Sequence, residues 1–181
     1  MKNHVSRATF LARFIVDVVG QLDLSDIYRQ YSDQGAPPYA PEVLLGLLIY
    51  GYATGVFSSR QIEKKSYSSI PYIYIAGGLH PDHDTINSFR KDFLDEIKQL
   101  FVQILLIAQA IKVLELSHVS LDGTKIHADA SKSKAVSYKR LLELEAQLQA
   151  EVEELFILGQ QAEQTELPDG LDLATEIAFR R

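Results

Sequence analysis

Apolar residues recur along the first two-thirds of the chain at helical spacing. Phe10, Phe14, Val18 and Leu22, with Leu11, Ile15 and Val19, mark one face of a helix within residues 10–31, with a restart at the capping residues of Leu24-Ser25-Asp26. Asp33-Gln34-Gly35-Ala36-Pro37-Pro38 is a break, because two prolines and a glycine do not continue a helix. Pro41 suits a first helical position and Glu42 the positive helix start. From there to Ala53 the chain is apolar on nearly every side, which predicts a central, buried helix. Thr54-Gly55 ends it, and Ser58 or Ser59 caps a short helix over residues 60–67. Over residues 70–76, alternation and aromatics permit a strand, while tertiary context could make the segment helical; Gly77-Gly78 closes it. Asp84 or Thr85 is expected to cap a helix through Phe93. A longer helix follows over about residues 95–113, with Ile97, Leu100, Phe101, Ile104 and Ile107 or Ala108 as its core stripe.

The pattern changes at Leu116. Ser117-His118-Val119-Ser120-Leu121 and Thr124-Lys125-Ile126-His127-Ala128 are short and alternating, and Asp122-Gly123 between them is a hairpin signal. Helical spacing then returns. Leu141, Leu144, Leu148, Val152 and Leu155 form a stripe flanked by Glu143, Glu145, Glu151, Glu153 and Glu154, with Gly159 and Pro168-Asp169-Gly170 as punctuation. Such a helix is read as structural or self-associating. A last helix is expected from near Asp172. The fold class is therefore mainly α: a helical bundle, a short hairpin and a long amphipathic helix. The division expected is a helical domain over residues 1–116 and a second unit over 117–181.

Composition narrows the function. Hydrophobic residues make up 46% of the chain, enough for a packed core. There is no cysteine, which removes disulfides and thiol chemistry and fits a reducing cytoplasm. No apolar run approaches the ~20 residues that span a bilayer, so a cytoplasmic protein without membrane partners is expected. The net charge of −6 argues against a simple nucleic-acid binder. Its distribution modifies that view. Residues 1–116 carry 11 Lys and Arg against 12 Asp and Glu, whereas residues 124–140 carry Lys125, Lys132, Lys134, Lys139 and Arg140 against Asp129 alone.

Four sites carry candidate chemistry. Residues 41–53, 59–67 and 84–93 can form a helix-turn-helix-like unit. In its last helix Ile86 and Phe89 would face inward, leaving Asn87, Arg90 and Lys91 outward, where Asn reads adenine and Arg guanine in a major groove. A bundle with solvated basic residues is the plainer alternative. His80-Pro81-Asp82-His83-Asp84 has the residue types of a metal site, but a polar turn capping the next helix explains it more simply. Asp122 is either a carboxylate ligand for Mg²⁺ beside Lys125 and His127, or the first residue of a type I′ turn. Lys132 and Lys134 begin a Lys- and Ser-rich segment that reads as a phosphate-seeking loop or a solvated linker.

Several of these stretches occur together in a known order. Phe10-Leu11-Ala12-Arg13-Phe14-Ile15, Leu22-Asp23-Leu24-Ser25, Tyr39-Ala40-Pro41, Tyr50-Gly51-Tyr52-Ala53-Thr54-Gly55, Ser58-Ser59-Arg60-Gln61-Ile62-Glu63, Pro81-Asp82-His83-Asp84-Thr85-Ile86 and Leu121-Asp122-Gly123-Thr124-Lys125-Ile126 are similar to the N-terminal half of bacterial insertion-sequence transposases of the DDE class. The resemblance implies that the helical region helps bind transposon ends. It implies that Asp122 lies on the first strand of an RNase H-like domain and is the first catalytic and metal-binding carboxylate. It also implies that the leucine-striped helix is an insertion after the opening hairpin. In such enzymes three acidic residues hold two Mg²⁺ ions, which activate water and then a DNA 3′-hydroxyl. The second and third acidic residues normally lie beyond the region corresponding to Arg181, and Asp129 stands where the family is expected to have Asn.

The expectation is thus a truncated, transposase-derived protein, inactive alone, that binds transposon-end DNA through Arg60, Lys64, Lys65, Asn87, Arg90 and Lys91, with Lys125, Lys132 and Lys134 as further contacts. It would act by itself or in oligomers with itself or with intact transposase. The alternatives are a non-enzymatic module that modulates intact transposase, and a remnant with no present role.

Overall fold

A computed structural model describes residues 2–33, 39–111 and 138–165, and among these the regular structure is entirely α-helical. The elements are α1 (Lys2–Val19), α2 (Ser25–Asp33), α3 (Pro41–Ala53), α4 (Ser59–Ser68), α5 (Ile70–Ile75), α6 (His83–Asp92), α7 (Leu94–Ala110) and α8 (Tyr138–Thr165). The break at residues 34–38, the hairpin at 117–128 and the last helix from Asp172 lie outside the described residues. So do Asp122, Lys125, Lys132 and Lys134.

Helix α3 is the hub. Its sequence is apolar on nearly every face, and Leu44, Leu45, Leu47, Leu48, Ile49, Tyr50 and Tyr52 are all buried. It packs against α1, α4, α5 and α6. Fully burying one such side chain contributes roughly 1.5–3 kcal/mol, so this helix anchors the bundle. Pro41 opens it in the expected manner. It closes in a Schellman turn: Gly55 adopts φ 75°, and Val56 N–H donates to Gly51 O at 2.7 Å. A side chain at Gly55 would meet the steric cost of that left-handed backbone.

Residues 70–75, where strand and helix were both permitted, are helical. Pro71 sits in the first turn of α5, and Tyr72, Ile75 and Ala76 are buried at i, i+3 and i+4, while Ile70 and Tyr74 are exposed. The alternating pattern is therefore overridden by packing of one helical face against α1, α3 and α4. Helix α1 also extends further than the apolar spacing required, beginning at Lys2.

Helix α7 buries Ile97, Leu100, Phe101, Val102, Ile104 and Ala108, close to the expected stripe. Helix α8 lies along α7 and reaches the same core through Val152, Leu155 and Phe156. The Phe156 ring meets the edge of Tyr52 at 4.9 Å, and Lys98 Nζ pairs with Glu153 Oε2 at 2.7 Å. Gly159 does not interrupt α8, which runs on to Thr165. The residue serves instead as a close-approach point, because a Cβ there would overlap the Tyr52 hydroxyl and lie 3.3 Å from Arg90 Nη1.

Candidate functional site

Helices α3, α4 and α6 pack against one another, forming the helix-turn-helix-like unit, with α5 in the connection between α4 and α6. The start of α4 is fixed by Ser58, whose hydroxyl accepts from Gln61 N–H at 3.4 Å. The start of α6 is fixed by Asp82, not Asp84 or Thr85. The Asp82 carboxylate accepts from Thr85 N–H at 2.8 Å and from Thr85 Oγ1 at 2.7 Å. The Thr85 backbone N–H holds the Asp82 carboxyl below the usual carboxylate range.

The His80–Asp84 segment works as structural joinery. His80 stacks on Tyr67 at 4.0 Å, and its Nδ1 lies 3.2 Å from Ser66 Oγ. His83 Nδ1 is 2.7 Å from Glu63 Oε2, which also accepts the His83 backbone N–H at 3.1 Å. Glu63 on α4 thereby ties down the first turn of α6. Among the described residues, no three His, Asp or Glu side chains are grouped so as to hold a metal ion.

Arg60 on α4, with Asn87, Arg90 and Lys91 on α6, lines one cleft of about 350 Å³. His83, Asp84 and Leu94 complete that side, and Gln160, Glu163 and Gln164 on α8 form the opposite wall. Lys64 and Lys65 lie further along α4 and do not line the cleft. Lys91 and Lys64 are exposed, whereas Arg60, Lys65 and Asn87 are half-buried.

Arg90 departs from the expected outward position, with only 2% of its surface exposed. Its guanidinium donates from Nη1 to Tyr52 Oη at 3.2 Å and to Gly159 O at 3.3 Å, and from Nη2 to Asn87 Oδ1 at 2.7 Å. Glu163 Oε1 lies 3.5 Å from the same Nη1. The physical reason is satisfaction: a planar, five-donor fork reaches acceptors on three helices at once. Burial pushes the Tyr52 hydroxyl pKa up, and the adjacent Arg90 charge pulls it partly back. None of Tyr52, Gly159 and Glu163 was among the expected site residues; Gly159 was read only as punctuation in the striped helix and Tyr52 only as part of a motif. A tyrosine in an otherwise apolar helix was the available signal, because a buried hydroxyl requires a partner.

These elements define a mainly helical protein in which α3, α4 and α6 pack together. The family model described as Transposase domain (DUF772) matches residues 2–92, half of the chain, and the chain belongs to that family. The matched region takes in α1 to α6, so the cleft residues on α4 and α6 lie within it, whereas Leu94 on α7 and the α8 wall lie outside it. No curated protein and no solved structure matches the chain. Among the described residues, no helix is long and apolar enough to cross a membrane.

Proposed function

We propose that this transposase-family chain acts in DNA transposition by engaging the duplex at transposon ends through its helix-turn-helix-like unit. The observation that carries the reading is the convergence of Arg60, Asn87, Arg90 and Lys91, drawn from α4 and α6, on one cleft. Lys91 and Lys64 are the exposed cations that would meet phosphates, and Arg60 flanks them. Arg90 is better assigned as a positioning residue. With its fork occupied by Asn87, Tyr52 and Gly159, it holds α6 in place and does not read a base. Asn87 shares that network.

The catalytic side of the proposal rests on the resemblance. Asp122 would be one carboxylate ligand of Mg²⁺ in an RNase H-like site, the metal supplying charge stabilisation for phosphoryl transfer. Lys125, Lys132 and Lys134 would lie on the same DNA path, and the partners would be transposon-end DNA and further copies of the transposase.

The test is salt-dependent binding of the purified chain to labelled terminal-repeat duplex. Neutralising Lys91 or Lys64 to Ala is expected to weaken binding to all sequences alike and to reduce the salt slope by about 1 each. Absence of binding to any duplex at low salt, by the unsubstituted chain and by Glu163→Gln alike, would sink this reading in favour of a helical remnant.

A further inference from the structure

Glu163 on α8 is held as a bound anion is held. Its Oε1 accepts the Ser59 backbone N–H at 2.6 Å, at the first residue of α4, and lies 3.5 Å from the buried Arg90 guanidinium. The first N–H groups of a helix lack internal partners and carry partial positive charge, and phosphate groups bind there for the same reason. The Ser59 hydroxyl is also fully buried, with no hydrogen-bond partner among the described residues. The seat therefore combines a helix start and a buried cation, at a residue whose own hydroxyl has no partner among the described residues, and a carboxylate from a distant helix fills it.

We propose that α8 is a self-inhibitory clamp whose Glu163 carboxylate occupies a seat for a DNA backbone phosphate, so that duplex binding requires α8 to lift from α4 and α6. The inference rests on the DNA-binding reading above. The geometry supports it in three ways. Helix α8 forms the whole far wall of the cleft, with Gln160, Glu163 and Gln164 facing Arg60, Asn87 and Lys91. A duplex seated deep in that cleft would have to displace the α8 wall. Helix α8 also meets the core along one face: Val152, Leu155, Phe156 and Gly159 are buried, while Leu142, Ile157 and Leu158 on the same helix are exposed. An element at the outside of a bundle can open at lower free energy than the core beneath it. Finally, Gly159 is the closest approach of α8 to Tyr52 and Arg90, so bulk at one position should separate the two states.

The test pairs hydrogen exchange of α8 with binding of a fluorescein-labelled DNA duplex at low salt, using the full chain. Gly159→Leu is expected to raise amide exchange across the end of α8 and to tighten duplex binding about tenfold, because the apparent affinity scales with the open fraction. Glu163→Gln removes the competing charge while preserving size, and is expected to tighten binding about threefold. It keeps the test decisive should Gly159→Leu fold poorly. Duplex added to the unsubstituted chain should raise exchange in α8 while protecting the start of α4. The clamp is overturned if α8 is released with no gain in affinity, or if duplex binds while α8 exchange stays unchanged. If no duplex binds even with α8 released, the DNA-binding reading itself fails, and the clamp with it.

Discussion

Around Leu44, Leu45, Leu47 and Leu48 the interior is closed by apolar contact. One turn further along α3, at Tyr52, the interior is equally closed but polar: Arg90 joins Tyr52, Asn87 and Gly159, with Glu163 beside it. The two regions differ in what they demand. An apolar interior needs volume and shape, and tolerates apolar replacements that conserve them. A polar seam needs each donor matched to an acceptor, and leaves a costly orphan when one is removed. The apolar region therefore sets stability. The polar seam sets which helices meet, and it is where the family's helical unit is joined to α8.

Three measurements press on that contrast. The largest effect is expected at Leu47, which is fully buried at the hub. Leu47→Ala should cost about 3 kcal/mol in urea unfolding, from lost transfer energy and a residual cavity. A loss smaller than that at Arg90 would reverse the ranking of the two regions. Arg90→Met should cost about 2 kcal/mol, since it strands Tyr52 Oη and Gly159 O without their charged donor. Arg90→Lys should restore little of this, because a single ammonium does not reproduce the fork; full recovery would show that charge alone matters at the seam.

The smallest effect is expected at the rim. Asp82→Ala should cost about 1 kcal/mol, as loss of a helix cap does. Its pH dependence has a defined sign. The folded-state pKa of Asp82 lies below the ordinary aspartate value of 3.8, so its contribution is present above that value and is lost as pH falls through the lowered folded pKa. The stability difference between Asp82→Ala and the unsubstituted protein should thus shrink in acid. A difference that persists at low pH would mean that the carboxylate charge is irrelevant to the cap.

The helical architecture was largely legible beforehand, and for a local reason. Pro41 and Gly55 bound α3 where the steric rules of proline and left-handed glycine place its ends. The stripe of α7 followed from spacing alone. Where local signals competed, they did not decide the outcome. Ile70, Tyr72, Tyr74 and Ala76 alternate as a strand would, yet the segment is a helix because only that form buries Tyr72, Ile75 and Ala76 together. Asp82, Asp84 and Thr85 are all capping residue types, and the cap went to the one whose carboxylate reaches Thr85 N–H. Arg60, Asn87, Arg90 and Lys91 lie on two neighbouring helices and line one cleft, but Arg90, expected to face outward, turns inward from α6.

The sequence by itself determined that this chain is mainly helical, that α3 is interior, and that it carries a transposase-family helical unit. Those properties follow from spacing, caps and motif order, which act within a few residues of chain. Only the tertiary structure decided that Arg90 turns inward, that Gly159 is a contact and not a break, and that Glu163 sits on the start of α4. An amphipathic stripe announces that a face will be covered without naming what covers it. A charged side chain points wherever distant segments supply its acceptors, and that supply exists only after the helices have met.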